Sequence, residues 1–382
     1  MKSIHNSVDP DGLLEFSVVY TDRALNHMSH NFQQVMCDIS ANLRLTYNAH
    51  AAVVIPGSGS FGMEAVARQF AIDADCLVIR NGWFSYRWSQ ILDMGGFASS
   101  VNVQMASQAT RDSNQTPAPF APAPFAPAPI EQVVAAIKKD KPAVVFAPHV
   151  ETSAGMLLPD DYIKAVSDAT HSVGGLMILD CIASGCLWVD MKALGIDVVI
   201  SAPQKGWSGP PCAGLVMLSE QACARLAETN SNSFSIDLKK WHEIMQAYEG
   251  GAHAYHATMP TESLRQFRDV MLETIQFGLD KAKLTQIALG TQVRALLESK
   301  GYQSVAAEGF QASGVVVSYT DNPDFQNGSA FKKIGMQIAA GVPLMCDEPD
   351  DFRSFRLGLF GLDKLGNVDG SVASLQQAFD QL

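Results

Sequence analysis

The chain has 382 residues, 47% hydrophobic and 17% charged. This excludes a disordered protein and gives enough chain for a large unit plus a smaller one. A formal net charge of −12 argues against a nucleic-acid partner, because phosphate backbones are gripped by basic faces. The opening MKSIHNSVDPDGLLEF lacks a signal-peptide core, and no stretch reaches the roughly 20 apolar residues of a membrane span. Seven scattered cysteines (Cys37, Cys76, Cys181, Cys186, Cys212, Cys223, Cys346) form no zinc spacing. They predict buried free thiols in a reducing cytoplasm.

In chain order, short apolar runs occur at Ala51–Ile55, Cys76–Arg80, Ala143–Ala147, Leu176–Asp180, Asp197–Ser201 and Gly214–Leu218. They are rich in Val, Ile and Leu and lack polar alternation, as strands covered on both faces of a mainly parallel sheet do. Amphipathic stretches such as Gly62–Phe70 and Asp160–Ser172 lie between them, which predicts a layered α/β unit. Thr116–Pro129 reads TPAPFAPAPFAPAP and predicts an extended, polyproline-like surface arm before a helix at Glu131–Lys138. After about residue 262 a long helical pattern, Ser263–Lys300, leads to strand-like runs at Gly314–Tyr319 and Phe355–Leu359. Helices are expected at Asn327–Ala340 and Gly370–Leu382. The expected division is a large α/β domain over 14–262 and a smaller α+β domain over 263–382.

Four polar features sit where predicted strands end, the edge at which open α/β sheets hold ligands. Gly57-Ser58-Gly59-Ser60 joins a strand to a helix; it reads equally as an anion cradle and as a plain turn. Asp180 closes a fully apolar run and needs a partner: a helix terminus, a cation, or the protonated nitrogen of a pyridine ring. Lys205, in SAPQKGW, follows the next strand among Pro203, Trp207 and small residues, where desolvation would favour a nucleophilic amine. HVETSAG (His149–Gly155) gathers an imidazole, a carboxylate and two hydroxyls. There His149 reads as a ring neighbour or as a packed loop residue.

Together these residues resemble the class V aminotransferases of fold type I, the alanine–glyoxylate and serine–pyruvate aminotransferase group. The resemblance runs from about His27 to the C-terminus. It implies pyridoxal 5′-phosphate, a mainly parallel seven-stranded sheet, and ping-pong transfer of an amino group from an alanine- or serine-like donor to a 2-oxo acid. By the same resemblance Lys205 is the Schiff-base lysine and Asp180 meets the pyridine nitrogen. Ser58, Gly59 and Ser60 meet the phosphate, Phe84 in NGWFSYR stacks on the ring, and Thr152 and Gln204 contact the cofactor. YHATMP (Tyr255–Pro260) is similar to the segment whose Tyr and Thr reach the neighbouring subunit's phosphate, so Tyr255 and Thr258 imply a homodimer with shared sites. FRLGLFG (Phe355–Gly361) is similar to the strand whose arginine, here Arg356, binds the substrate carboxylate. The chain departs from the family at Leu14–Phe32, where a Gly-Pro-Gly-Pro stretch is usual. Two other chemistries of the fold stand beside transamination: a lyase acting on an unusual amino compound, and a desulfurase, for which Cys346 is the one cysteine suitably placed in sequence.

Overall fold

Seven strands make one sheet: β1 (Ala51–Pro56), β2 (Asp75–Arg80), β3 (Ser100–Met105), β4 (Val144–Pro148), β5 (Leu176–Asp180), β6 (Val198–Ser201) and β7 (Ala213–Leu218). The structure is a computed structural model and describes residues 8–17, 23–109 and 122–382. The order across the sheet is β1-β7-β6-β5-β4-β2-β3. β7 is antiparallel to both its neighbours, and every other pairing is parallel. The six remaining strands therefore run one way and end on one edge, at Pro56, Arg80, Met105, Pro148, Asp180 and Ser201. The register is tight there: Asp180 lies opposite Pro148 on one side and Ile200 on the other.

The six apolar runs all became sheet strands, and their residues are buried on both faces as expected of a covered parallel sheet. β3 was not anticipated. Its sequence SVNVQM carries polar residues, and most of its positions, at one of the sheet's two edges, are only half-buried. Helices pack on the two faces through stripes such as Met63, Val66 and Phe70 on Gly59–Phe70.

Beyond residue 262 the expected single helix is two. Thr261–Phe277 and Leu279–Ser299 are separated by Gly278, which has φ 100°. A second sheet, ordered β8-β10-β9, is built from β8 (Val315–Tyr319), β9 (Ala339–Ala340) and β10 (Ser354–Gly358). The helix expected over Asn327–Ala340 shrinks to Ser329–Lys333, and the segment ends in β9, which pairs with β10 instead. An aromatic core of Phe325, Phe331, Phe355 and Phe379 holds these pieces together.

Part of the proline-rich stretch, through residue 121, lies outside the described residues. Its described end is no surface arm: Phe125 is 1% exposed and Phe125–Ala126 pairs with Ser107–Gln108. Phe125 also donates its backbone N–H to Val305, and packs in a cluster that joins Val150 and Met156 to Val315 and Val317. The phenylalanine's apolar area outweighs the proline context. All seven cysteines are unpaired thiols; five are buried, and Cys37 and Cys223 are half-buried. Among the described residues no helix is long and apolar enough to cross a membrane.

Candidate active site

The ends of β5 and β6 bring Asp180 and the Lys205 loop side by side. Asp180 is buried, and its Oδ1 accepts from the Ile182 N–H at 2.9 Å. Among the described residues no cation pairs with it, and burial pushes its carboxyl up to about 7. The Lys205 loop is a tight turn in which Ser208 N–H bonds the Lys205 carbonyl and Gly209 N–H bonds that of Pro203. A Cβ on Gly206 would meet the Gly185 carbonyl oxygen at 1.9 Å, so the loop lies backbone-to-backbone on the segment after Asp180. Burial holds the Lys205 amine below its ordinary value, and the Arg356 and Arg87 cations push the same way.

At the end of β1, Ser58 precedes the Gly59–Phe70 helix, and its carbonyl accepts from Phe61 and Gly62. The first N–H groups of this helix face the strand edge, and the helix dipole favours an anion there. The residue that completes this cradle was not anticipated. Arg87 donates to Ser60 Oγ at 3.0 Å, and its Cζ lies 4.9 Å from the Phe84 ring centroid. The Arg356 Cζ lies 5.5 Å from the same centroid, so the Phe84 ring carries two guanidinium groups. Arg356 Nε donates to the Ala340 carbonyl at 2.7 Å, which orients the guanidinium from β9.

Glu151 was also missed, although it stood inside HVETSAG. It is 1% exposed, and its carboxylate accepts from Phe84 N–H, Ser85 N–H, Ser85 Oγ, Ser153 N–H and Ser153 Oγ. It thereby ties the Phe84 turn to the loop that carries Thr152, itself buried. The signal was legible: a carboxylate in an otherwise buried run must find donors, and hydroxyls flank it in both segments. His149 is packed rather than open. Its Nδ1 sits 2.7 Å from Ser184 Oγ, and burial lowers the imidazole to about 3, so it is neutral.

Tyr255 and Thr258 stand apart from this group. Their hydroxyls are 3.2 Å apart, Tyr255 is 64% exposed, and both line a cavity of about 660 Å³ with Arg23, His27 and Met28. Cys346 is buried, its thiol is pushed up to about 12, and it bonds the Arg80 carbonyl. It lacks the exposed thiolate that sulfur transfer needs.

The large, mainly parallel seven-stranded sheet followed by a smaller sheet is the architecture of the fold type I enzymes. The chain belongs to the class-V aminotransferase family, whose model matches residues 106–322, more than half of its length. It is similar to a 2-aminoethylphosphonate–pyruvate transaminase of Vibrio vulnificus, 24% identical over 88% of this chain and 85% of that protein. It is also similar to an alanine–glyoxylate aminotransferase of Felis catus, 23% identical over 94% of this chain and 82% of that protein. The fold matches a solved alanine–glyoxylate aminotransferase from Nostoc sp. with a TM-score of 0.74, at 17% identity, over 93% and 89% of the two chains. The protein is an aminotransferase that uses pyridoxal 5′-phosphate and passes an amino group to a 2-oxo acid.

The residues present fit that cofactor. Asp180 lacks the positive partner that a pyridinium N–H supplies, and the buried Gln204 Oε1 has no hydrogen-bond partner. Arg87, two serines and a helix start offer the donors a phosphate takes.

Proposed function

We propose that Lys205 is the residue that carries the cofactor and moves the proton, and that the donor is an alanine- or serine-like amino acid. The observation that carries this is the Lys205 amine, lowered by burial, beside a buried Asp180 that lacks a cation. In this reading Ser58, Gly59, Ser60 and Arg87 hold the phosphate, Phe84 stacks on the ring, and Thr152 and Gln204 contact its polar atoms. Bound there, the cofactor withdraws electrons from the carbon that bears the transferred amino group.

The residues divide the remaining work. Asp180 keeps a proton on the ring nitrogen, because its carboxylate is stable in this buried place only when paired. Lys205, once displaced by the donor's amine, takes the donor's Cα proton as general base and returns one as general acid. Burial lowers its pKa, which shifts it towards the neutral amine that this step needs. Arg356 fixes the donor carboxylate, with Nε already held by Ala340. Donor and acceptor acids use that clamp in turn, which is the double-displacement pattern. A donor of alanine's size accords with the names of the alanine–glyoxylate relatives.

The assembly in this reading is a homodimer. Tyr255 and Thr258, exposed and paired beside an open cavity, would complete the phosphate site of a partner subunit. A large unit over 14–262 and a small one over 263–382, with Arg356 in the small one, accords with the separate aromatic core of the latter. Seven unpaired thiols favour a reducing cytoplasm.

A donor screen tests the reaction. The cofactor-loaded protein is mixed with single amino acids and its visible absorbance followed. Loss of the band with stoichiometric oxo acid supports transamination, with alanine or serine among the fastest donors. Ammonia release without amino transfer would sink it, as would native-rate turnover by Lys205→Ala.

A further inference from the structure

Phe360 has no role in the chemistry above, yet it stands over the reacting amine. Its ring centroid is 5.3 Å from Lys205 Nζ. A carbon in van der Waals contact with a ring sits about 3.5–4 Å away, which leaves roughly one C–C bond length between ring and amine.

The ring is held in a slot made by glycines. A Cβ on Gly314 would come within 3.1 Å of Phe360 Cε1, and one on Gly185 within 3.4 Å. A side chain at Gly314 would crowd the ring, and one at Gly185 would touch it.

The strand supplies the geometry. β10 ends at Gly358, but its ladder continues, since Leu359 N–H donates to the Gly314 carbonyl at 2.9 Å. Along such an extended segment alternate residues share a face, so Arg356, Gly358 and Phe360 project together. Leu357 and Leu359 between them are buried on the other side. The carboxylate clamp and the ring thus flank a position with no side chain, about 13 Å apart along the backbone. An amino acid with its carboxylate on Arg356 and its amine at the Lys205 position points its third substituent into the remaining gap.

We propose that Phe360 is the specificity-determining wall of the donor side-chain space, and that it disfavours donors with longer side chains. This rests on the reading of Lys205 and Arg356 given above.

The test compares kcat/KM of the cofactor-loaded enzyme for L-alanine and L-norvaline. Phe360→Ala should raise the norvaline-to-alanine ratio about tenfold or more, the usual effect of methylene-sized space in an apolar pocket. Phe360→Leu should raise it less, and Phe360→Trp should lower it. Calorimetric affinities for acetate, propionate, butyrate and pentanoate give a second readout that does not depend on the true donor. Pentanoate should gain on acetate in Phe360→Ala. A ratio unchanged in both Phe360→Ala and Phe360→Leu, with cofactor retained, overturns the proposal. Should the native enzyme use neither amino acid, the donor assignment fails by itself. The carboxylate series then decides alone: an unchanged order in Phe360→Ala overturns the wall, and a gain for pentanoate upholds it.

Discussion

Asp180 makes the cofactor-free protein unstable in a way that one substitution should relieve. Unfolded, its carboxyl ionises near the ordinary 3.8; folded, burial holds it at about 7. The gap spans about three pH decades at about 1.4 kcal/mol each, or about 4 kcal/mol. For an acid raised on folding, the native state binds the extra proton between those two values. Stability is therefore fully present below about pH 4 and declines as pH rises to about 7. Asp180→Asn removes the titration and keeps an oxygen that can accept from Ile182 N–H. The cofactor-free variant should be more stable than the cofactor-free wild type at pH 8, by up to about 4 kcal/mol, and equal to it near pH 4. Urea denaturation of both at the two pH values measures the difference, and other titrating groups cancel in the subtraction. With cofactor bound the ordering should reverse in function, since the neutral amide cannot keep the ring nitrogen protonated. A wild-type-minus-variant stability difference that stays flat from pH 4 to 8 would refute the account of Asp180 as an unpaired buried acid.

Glu151→Gln should lower stability by about 2 kcal/mol, because an amide NH₂ replaces one acceptor oxygen and leaves a buried donor such as Ser85 N–H unmet. Denaturant titration checks this, and an unchanged midpoint would deny Glu151 its tying role. Arg87→Gln should weaken pyridoxal 5′-phosphate binding about tenfold or more, as loss of a charge-assisted bond does, while leaving affinity for dephosphorylated pyridoxal nearly unchanged. Equal losses for both ligands would remove Arg87 from the phosphate cradle.

The sequence was most legible where burial leaves no freedom. Strands covered on both faces must be apolar throughout, so β1, β2 and β4 to β7 announced themselves. β3 did not, because its positions are mostly half-buried and so keep polar residues, whereas β1 at the other edge is covered and apolar. The broken helix near residue 278 and the shortened one after residue 327 failed differently: strand pairing and a backbone turn overrode helical spacing. Phe125 shows the same override in a proline-rich setting. In the site, Asp180 stood out as a carboxylate closing an apolar run, and Lys205 as an amine among small and apolar residues in the loop after the next such run. Arg87 was hidden, because only the fold fixes which way its helix, Tyr86–Gly95, presents it. Glu151 called for donors as a carboxylate in a buried run, but three of its five come from Phe84 and Ser85, 67 and 66 residues away, and no spacing rule reports that pairing.

The contact between Gly206 and Gly185 has a consequence for how such an enzyme can change. The separation of the amine from the carboxylate is fixed by main chain lying on main chain, with no side chain between to trim or extend. Side chains around the two segments can therefore change while the spacing between Lys205's loop and Asp180's strand end is kept. A side chain on Gly206 would instead drive the Lys205 loop away from the segment that follows Asp180.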